Sequence, residues 1–267
     1  MAYRRVEVSL PRESRGKLAF ILEGVYTPDE CAQMVADTER VGYEPAKIDV
    51  GGGAQEVASH VRNNDRCMID AQEQAAELFR RLRGHIPAQW ENRPAVGINE
   101  RLRFLRYHPG QRFRTHYDLN YMRANGECSQ VTVHLYLNDV AAGNGGTTRF
   151  IDSAAREAAI AAQAAAQPSY NPADFESEDE YEEDGEDGTA LPSVRTKFVT
   201  AGDSGSAPPS LPVEYIDESV DVIPKAGSVL IFQHDILHCG SELLAGIKYT
   251  LRTDVMYASI PVPASPS

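Results

Sequence analysis

The sequence predicts an α+β chain built on a double-stranded β-helix, or jelly roll, braced by helices near the N-terminus and interrupted by a long, disordered acidic insertion. Three features predict it. Two segments of helical periodicity fall within the first hundred residues, short β-type runs follow one another from Glu100, and regularity lapses from about Asp152 to Ser219 before strand signals resume. A length of 267 residues suits one principal domain with an embellishment. The expected division is residues 1–99 as helical and strand support, 100–257 as the β-helix core with the insertion at about 152–219, and 258–267 as a tail.

The run Lys17–Tyr26, KLAFILEGVY, is apolar and β-rich. After it, Thr27 stands as N-cap, Pro28 at the first helical position and Glu30 three residues beyond the cap. That start signal predicts a helix through Cys31, Met34 and Val35 to about Arg40. Gly51-Gly52-Gly53 marks a loop, and Val61–Arg66 is a polar segment able to reach the mouth of a cleft. From Ala71 to Arg83, the residues Ala75, Leu78, Phe79 and Leu82 recur at helical spacing, so a second helix is expected, and the pair would cover the outer face of a sheet. Leu102–Tyr107 alternates apolar and polar, His108-Pro109-Gly110 turns, and Val131–Asp139 puts Val131, Val133, Leu135 and Leu137 on one strand face. Ala142–Gly146 is a tight turn ahead of the strand TTRFI. Within the insertion, Ala154–Ala166 is helical by propensity, while the acidic and Pro/Gly/Ser-rich remainder reads as a long loop, an inert insertion or a lid. Strands resume over Val220–Phe232 and Tyr249–Tyr257, and no internal repeat is visible.

The formal net charge of −13 is not spread over the chain. Asp174–Asp187 holds ten Asp or Glu and no Lys or Arg, which leaves only −3 for the remainder. Such a segment reads as a solvated insertion, or as a docking element for a basic partner, and the balance argues against holding nucleic acid through its phosphates. No apolar run approaches a membrane span, so no membrane association is expected. The opening residues contain no uninterrupted apolar segment and no small-residue cleavage site, which reads as no secretory signal. Cys31, Cys67, Cys128 and Cys239 are scattered without a Cys-x-x-Cys pair, the pattern of reduced thiols. The expected location is cytoplasmic, with the nucleus as the other option.

The chemistry is concentrated in His116-Tyr117-Asp118 and in His238 far downstream. Residues two apart on an extended strand share a face, so one imidazole and one carboxylate from a single strand can grip one metal ion. A second imidazole from a distant strand completes a 2-His-1-carboxylate facial triad, the set used by non-haem Fe(II) oxygenases. His234 is the rival for the distal position, whereas His108 and His134 read as structural or supporting residues.

The fragments RLRFLRYHPGQRFRTHYD, VHLYLND, GGTTRF, IPKAGSVLIF and HCGSELLAGIKY occur in an order that resembles the prolyl 4-hydroxylase-like branch of the 2-oxoglutarate/Fe(II)-dependent dioxygenases, over about Phe20 to Tyr257 apart from the insertion. The resemblance implies that His116, Asp118 and His238 ligate Fe(II), His238 being preferred to His234 because His238-Cys239-Gly240 matches the family's distal ligand. It implies that a cation ten residues further on, Lys248, holds the distal carboxylate of 2-oxoglutarate, with Arg252 as rival or helper; Arg252 could instead face substrate or Asp254. Tyr136 matches a tyrosine that bonds the same carboxylate, Tyr107 one near the iron-chelating end, and Thr148 a pocket position, although each could be plain core. The implied reaction consumes O2, decarboxylates 2-oxoglutarate to succinate and hydroxylates a C–H bond, with ascorbate as a reductant for oxidised iron. A peptidyl proline or another protein residue is the implied substrate. A small molecule or free amino acid is the alternative, and a non-catalytic jelly-roll module recruiting a partner through its acidic segment is a reading of a different class.

Overall fold

A computed structural model of the chain describes residues 3–51, 54–154, 157 and 218–259. In chain order the elements are β1 (Arg4–Glu7), β2 (Ala19–Glu23), α1 (Pro28–Val41), β3 (Glu44–Pro45), β4 (Ile48–Gly51), β5 (Ala54–Glu56), β6 (Asp65–Asp70), α2 (Gln72–Leu82), β7 (Gln89–Trp90), β8 (Arg93–Ile98), β9 (Arg101–Tyr107), β10 (Phe113–His116), β11 (Cys128–Tyr136), β12 (Thr148–Phe150), β13 (Val220–Val222), β14 (Val229–Gln233), β15 (His238–Gly240) and β16 (Lys248–Tyr257). The described residues are mostly β-sheet with few helices, as a jelly roll requires. The expected acidic insertion, and nearly all of the alanine-rich helix foreseen at its start, lie outside the described residues.

Two antiparallel sheets make the frame. The larger runs β1-β2-β14-β11-β16-β9-β6-β3, with β8 joined to the far end of β16; the smaller runs β10-β15-β12-β13. Residues before Glu100 therefore supply strands to the large sheet itself as well as helices. Strand β11 is central and buried on both faces. Its odd-numbered residues Val131, Val133 and Leu135, continued by Leu137, pack against Cys31 of α1 and Ala75, Leu78 and Leu82 of α2. Its even face turns towards the small sheet, where Tyr136, Leu230 and Phe232 meet Phe150 and Val222. Period-two alternation thus separates a dry outer core from an inner space between the sheets.

Local chemistry explains the two helices. Thr27 Oγ1 accepts from the Glu30 amide at 3.2 Å while the Glu30 carboxylate accepts from the Thr27 amide at 2.7 Å, a reciprocal capping box with Pro28 following the cap. Glu30 also receives Arg81 of α2 at 2.6 Å, which ties the helices together. Leu78 and Leu82 are completely enclosed by the outer core. Replacing Leu78 by Ala is expected to cost about 3 kcal/mol, read as a lower urea midpoint at an unchanged slope.

The stretch Val220–Phe232, where strand signals resume, divides into β13 in the small sheet and β14 in the large one. Between them Gly227 adopts φ +76°, and a Cβ there would lie 1.9 Å from the Tyr26 carbonyl oxygen. Only glycine lets the chain cross between sheets at that point.

Candidate metal centre and co-substrate pocket

The two histidines are cross-strand partners. His116 ends β10, His238 begins β15, and they stand opposite each other in the register of the small sheet, with ring centroids 4.3 Å apart. Asp118 follows just beyond β10. One oxygen lies 3.8 Å from His116 Nε2 and the other 3.8 Å from His238 Nε2. One ligand atom from each of the three residues falls within 4.8 Å of the others.

Each ring is oriented by its other nitrogen. His116 Nδ1 lies 2.7 Å from the Arg114 carbonyl and His238 Nδ1 lies 2.9 Å from the Ile236 carbonyl. A carbonyl can only accept, so each Nδ1 carries the proton and each Nε2 presents its lone pair to the space between the three groups. Packing fixes the planes. Phe113 stacks on His116 at 3.7 Å, and Phe232 meets His238 edge-on at 4.8 Å. Burial, reinforced by the neighbouring His238, pushes the His116 pKa down to about 3, and burial likewise lowers that of His238. Burial would raise the Asp118 carboxyl, but the Arg252 guanidinium outweighs it and holds the group well below its usual range. Two neutral imidazoles and one ionised carboxylate are the protonation states in which these side chains bind a metal, and this donor set fits Fe(II).

Asp118 is held from several sides. The Thr132 hydroxyl donates to its Oδ2, Arg252 Nη2 stands 3.0 Å from its Oδ1, and its amide donates to the His234 carbonyl at 3.2 Å. His234 itself turns elsewhere: its Nδ1 lies 2.9 Å from the Asn120 side-chain oxygen and its Nε2 lies 3.3 Å from Asp254. The structure brings His238, and not His234, together with His116 and Asp118.

Deeper between the sheets, β16 sets Lys248 opposite Tyr107 of β9. Lys248 is almost wholly enclosed, with Nζ 4.9 Å from the Tyr107 ring and 5.9 Å from the Tyr136 ring, and it forms no ion pair among the described residues. Desolvation lowers its pKa to about 7. Tyr136 donates its hydroxyl proton to Thr148 Oγ1 at 2.8 Å. His134 faces the same interior beside Tyr136, their rings 5.1 Å apart, and its buried Nε2 has no hydrogen-bond partner among the described residues. A buried ammonium without an anion and a buried ring nitrogen without a partner are both costly as they stand, and both fit a dicarboxylate ligand. Arg252 lies elsewhere: its guanidinium sits between Asp118 and Asp254, 3.0 and 3.1 Å away.

Sequence reasoning passed over Thr132 and Phe113, and it gave His134 only a supporting part. The signal for Thr132 and His134 was their even-numbered place on a strand whose odd positions are apolar. Val61–Arg66, read as a polar segment near a cleft mouth, brings Arg62 over the Phe113 ring at 4.4 Å, next to the triad.

A family model described as the 2OG-Fe(II) oxygenase superfamily matches residues 102–253, more than half of the chain. Among solved structures, a prolyl hydroxylase from Trichoplax adhaerens, in complex with a hypoxia inducible factor oxygen degradation domain peptide fragment, is similar over 92% of this chain and 86% of its own, at 13% identity and a TM-score of 0.51. A Pseudomonas putida prolyl-4-hydroxylase aligns over 91% and 95% of the two chains at 16% identity and a TM-score of 0.48. A viral collagen prolyl hydroxylase from Paramecium Bursaria Chlorella virus-1 aligns over 91% and 97% at 15% identity and a TM-score of 0.48. At 13% identity the likeness to the Trichoplax adhaerens enzyme is one of fold. No curated protein matches the chain.

Proposed function

Because this chain belongs to the 2OG-Fe(II) oxygenase superfamily, we propose that it hydroxylates a C–H bond of a protein residue, a peptidyl proline first among them, while 2-oxoglutarate is decarboxylated to succinate. The observation that carries this reading is the pairing of two features in one interior. Three ligand atoms of His116, Asp118 and His238 converge within 4.8 Å, and a buried lysine without an anion lies further in. Bound Fe(II) would supply the activation of O2 that lets an unactivated C–H bond react. His116, Asp118 and His238 would hold it through two Nε2 atoms and a carboxylate oxygen. Lys248 would take the distal carboxylate of 2-oxoglutarate, with Tyr136 and Thr148 packed against the same end and Tyr107 beside it. The aromatic walls formed by Phe113, Phe150 and Phe232 exclude water from the imidazoles. Ascorbate is proposed as the reductant that restores oxidised iron.

The fold shared with the peptide-bound Trichoplax adhaerens enzyme supports a peptide substrate. One observation favours a second reading, an acidic small molecule or free amino acid. Arg62 stands beside the triad, and no carboxylate among the described residues pairs with it. The four cysteines are free thiols, which supports a cytoplasmic or nuclear setting.

Purified protein with Fe(II), 2-oxoglutarate and ascorbate is expected to release succinate under O2, and release should rise when the true substrate is present. Incubation with a cell lysate followed by mass spectrometry separates the readings: a gain of one oxygen on a protein residue supports the first, and the same gain confined to the metabolite fraction supports the second. Absence of succinate above a heat-killed control would end both.

A further inference from the structure

Arg252 is partly buried, its side chain 20% exposed, and its charge is directed at carboxylates of the fold itself. Its Nη2 lies 3.0 Å from Asp118 Oδ1 and 3.1 Å from Asp254 Oδ1, so one nitrogen bridges two carboxylates. Neither contact has hydrogen-bond directionality; both are ion pairs in a buried setting, where Coulomb attraction is weakly screened. Asp254 is in turn fixed by Arg103 Nη1 at 3.2 Å and by His234 Nε2 at 3.3 Å. Register explains why these groups meet. In the β11–β16 ladder Thr132 stands opposite Asp254 and His134 opposite Arg252, so the strand pair that donates Thr132 to one oxygen of Asp118 also delivers Arg252 to the other.

Lys248 and Arg252 share a strand face but are four residues apart, about 13 Å along an extended chain. Lys248 stands beside Tyr107 and Tyr136, whereas Arg252 stands beside Asp118. We infer that Arg252, backed by Asp254, is a positioning residue that preforms the Asp118 carboxylate for the metal, and that it takes no part in anchoring 2-oxoglutarate. This rests on the metal reading proposed above. Asp118 lies just outside β10, where no strand ladder restrains its side chain. Without Arg252 only the Thr132 hydroxyl would restrain its side chain, whereas the two imidazoles stay locked by backbone carbonyls and aromatic rings.

The test uses the full-length protein free of metal, with Mn(II) as the probe counted by its free-ion paramagnetic resonance signal. 2-Oxoglutarate binding is then measured by calorimetry on Mn(II)-saturated protein. Arg252→Gln is expected to weaken Mn(II) binding about tenfold or more while leaving 2-oxoglutarate affinity within about threefold of wild type. Lys248→Ala is expected to do the reverse. The double variant Arg252→Gln, Asp254→Asn removes the leftover buried anion together with the cation and is expected to bind Mn(II) as weakly as the single variant. Wild-type Mn(II) affinity in Arg252→Gln overturns the inference. So does a loss of 2-oxoglutarate binding matching that of Lys248→Ala. Recovery in the double variant also overturns it, since the defect would then have come only from the charge of Asp254, left with Arg103 as its one guanidinium partner. A His116→Ala, Asp118→Ala protein that binds Mn(II) like wild type would bring down the metal reading itself, a result distinguishable from the other three.

Discussion

Replacing Asp118 by Ala is expected to reduce Fe(II)- and 2-oxoglutarate-dependent succinate release to background, a fall on the order of 10³-fold. Asp118 is the one anionic group of the triad, flanked by imidazoles that burial keeps neutral. Its removal also strips Arg252 of a partner 3.0 Å away and leaves a guanidinium facing the space where a dication must enter. The metal centre would thereby exchange an attraction for a repulsion in a site of low dielectric. Asp118→Asn is the milder change, because it keeps the shape and the Thr132 contact while discarding the charge, and with it the anionic partner of Arg252. Iron content after anaerobic reconstitution is the direct readout, and succinate release is the second. Full iron loading with full turnover in Asp118→Ala would remove this carboxylate from the proposed ligand set. The fold should survive either change, since Asp118 belongs to none of the apolar clusters.

The parts of the molecule that were readable in advance are those set by neighbours in sequence. Thr27, Pro28 and Glu30 fix the start of α1 through contacts spanning three residues, and Val131, Val133 and Leu135 announce a buried face by alternation alone. The pairing of His116 with Asp118 was read from their spacing, although the strand foreseen to carry both ends at His116 and leaves Asp118 beyond it; adding His238 needed the family resemblance, because nothing local links residues so far apart. Strand β6 was missed for a physical reason. Its sequence Asp65–Asp70 carries acids at both ends, which blurs the apolar alternation of a strand. In the sheet those acids are cross-strand partners: Asp65 meets Arg106 at 3.0 Å and Asp70 meets Arg101 at 2.9 Å. Partner choice of this kind depends on register, and register is invisible until both strands are placed. The same limit hid one of the two contacts of Arg252: Asp254 was among its foreseen partners, and Asp118 was not. Its face on β16 could be read from its spacing to Lys248, but whether it met a co-substrate or Asp118 depended on the β11–β16 ladder and on where the chain goes after β10. The acidic run of residues 174–187 lies outside the described residues, so its reading stays a matter of composition.

Lys248 gives the other large expected effect, and its sign depends on whether the anion is present. In the ligand-free fold, burial lowers the lysine pKa to about 7, whereas the unfolded chain keeps it near 10.4. Between those values the unfolded state binds the extra proton, so this residue makes stability rise with pH, and its cost to the fold is greatest below pH 7. A shift of this size corresponds to several kcal/mol at about 1.4 kcal/mol per pKa unit. Lys248→Met, which fills the slot between Tyr107 and Tyr136 without a charge, is therefore expected to be more stable than the ligand-free wild type at pH 7. That advantage should shrink as pH rises towards 10, as measured by urea unfolding of both proteins. Binding should show the opposite preference. The distal carboxylate of 2-oxoglutarate needs the ammonium form, so above pH 7 wild-type protein must take up a proton to bind, and affinity should fall by up to about tenfold per pH unit. Lys248→Met should lose a charge-assisted contact worth about 2 kcal/mol, roughly thirtyfold in dissociation constant. It should also lose that pH dependence, as calorimetry on Mn(II)-saturated protein in buffers of different ionisation enthalpy would show through the proton count. Equal affinity in the two proteins, or wild-type binding with no proton uptake at pH 8, would mean that the keto acid is held elsewhere and that the buried lysine serves another anion.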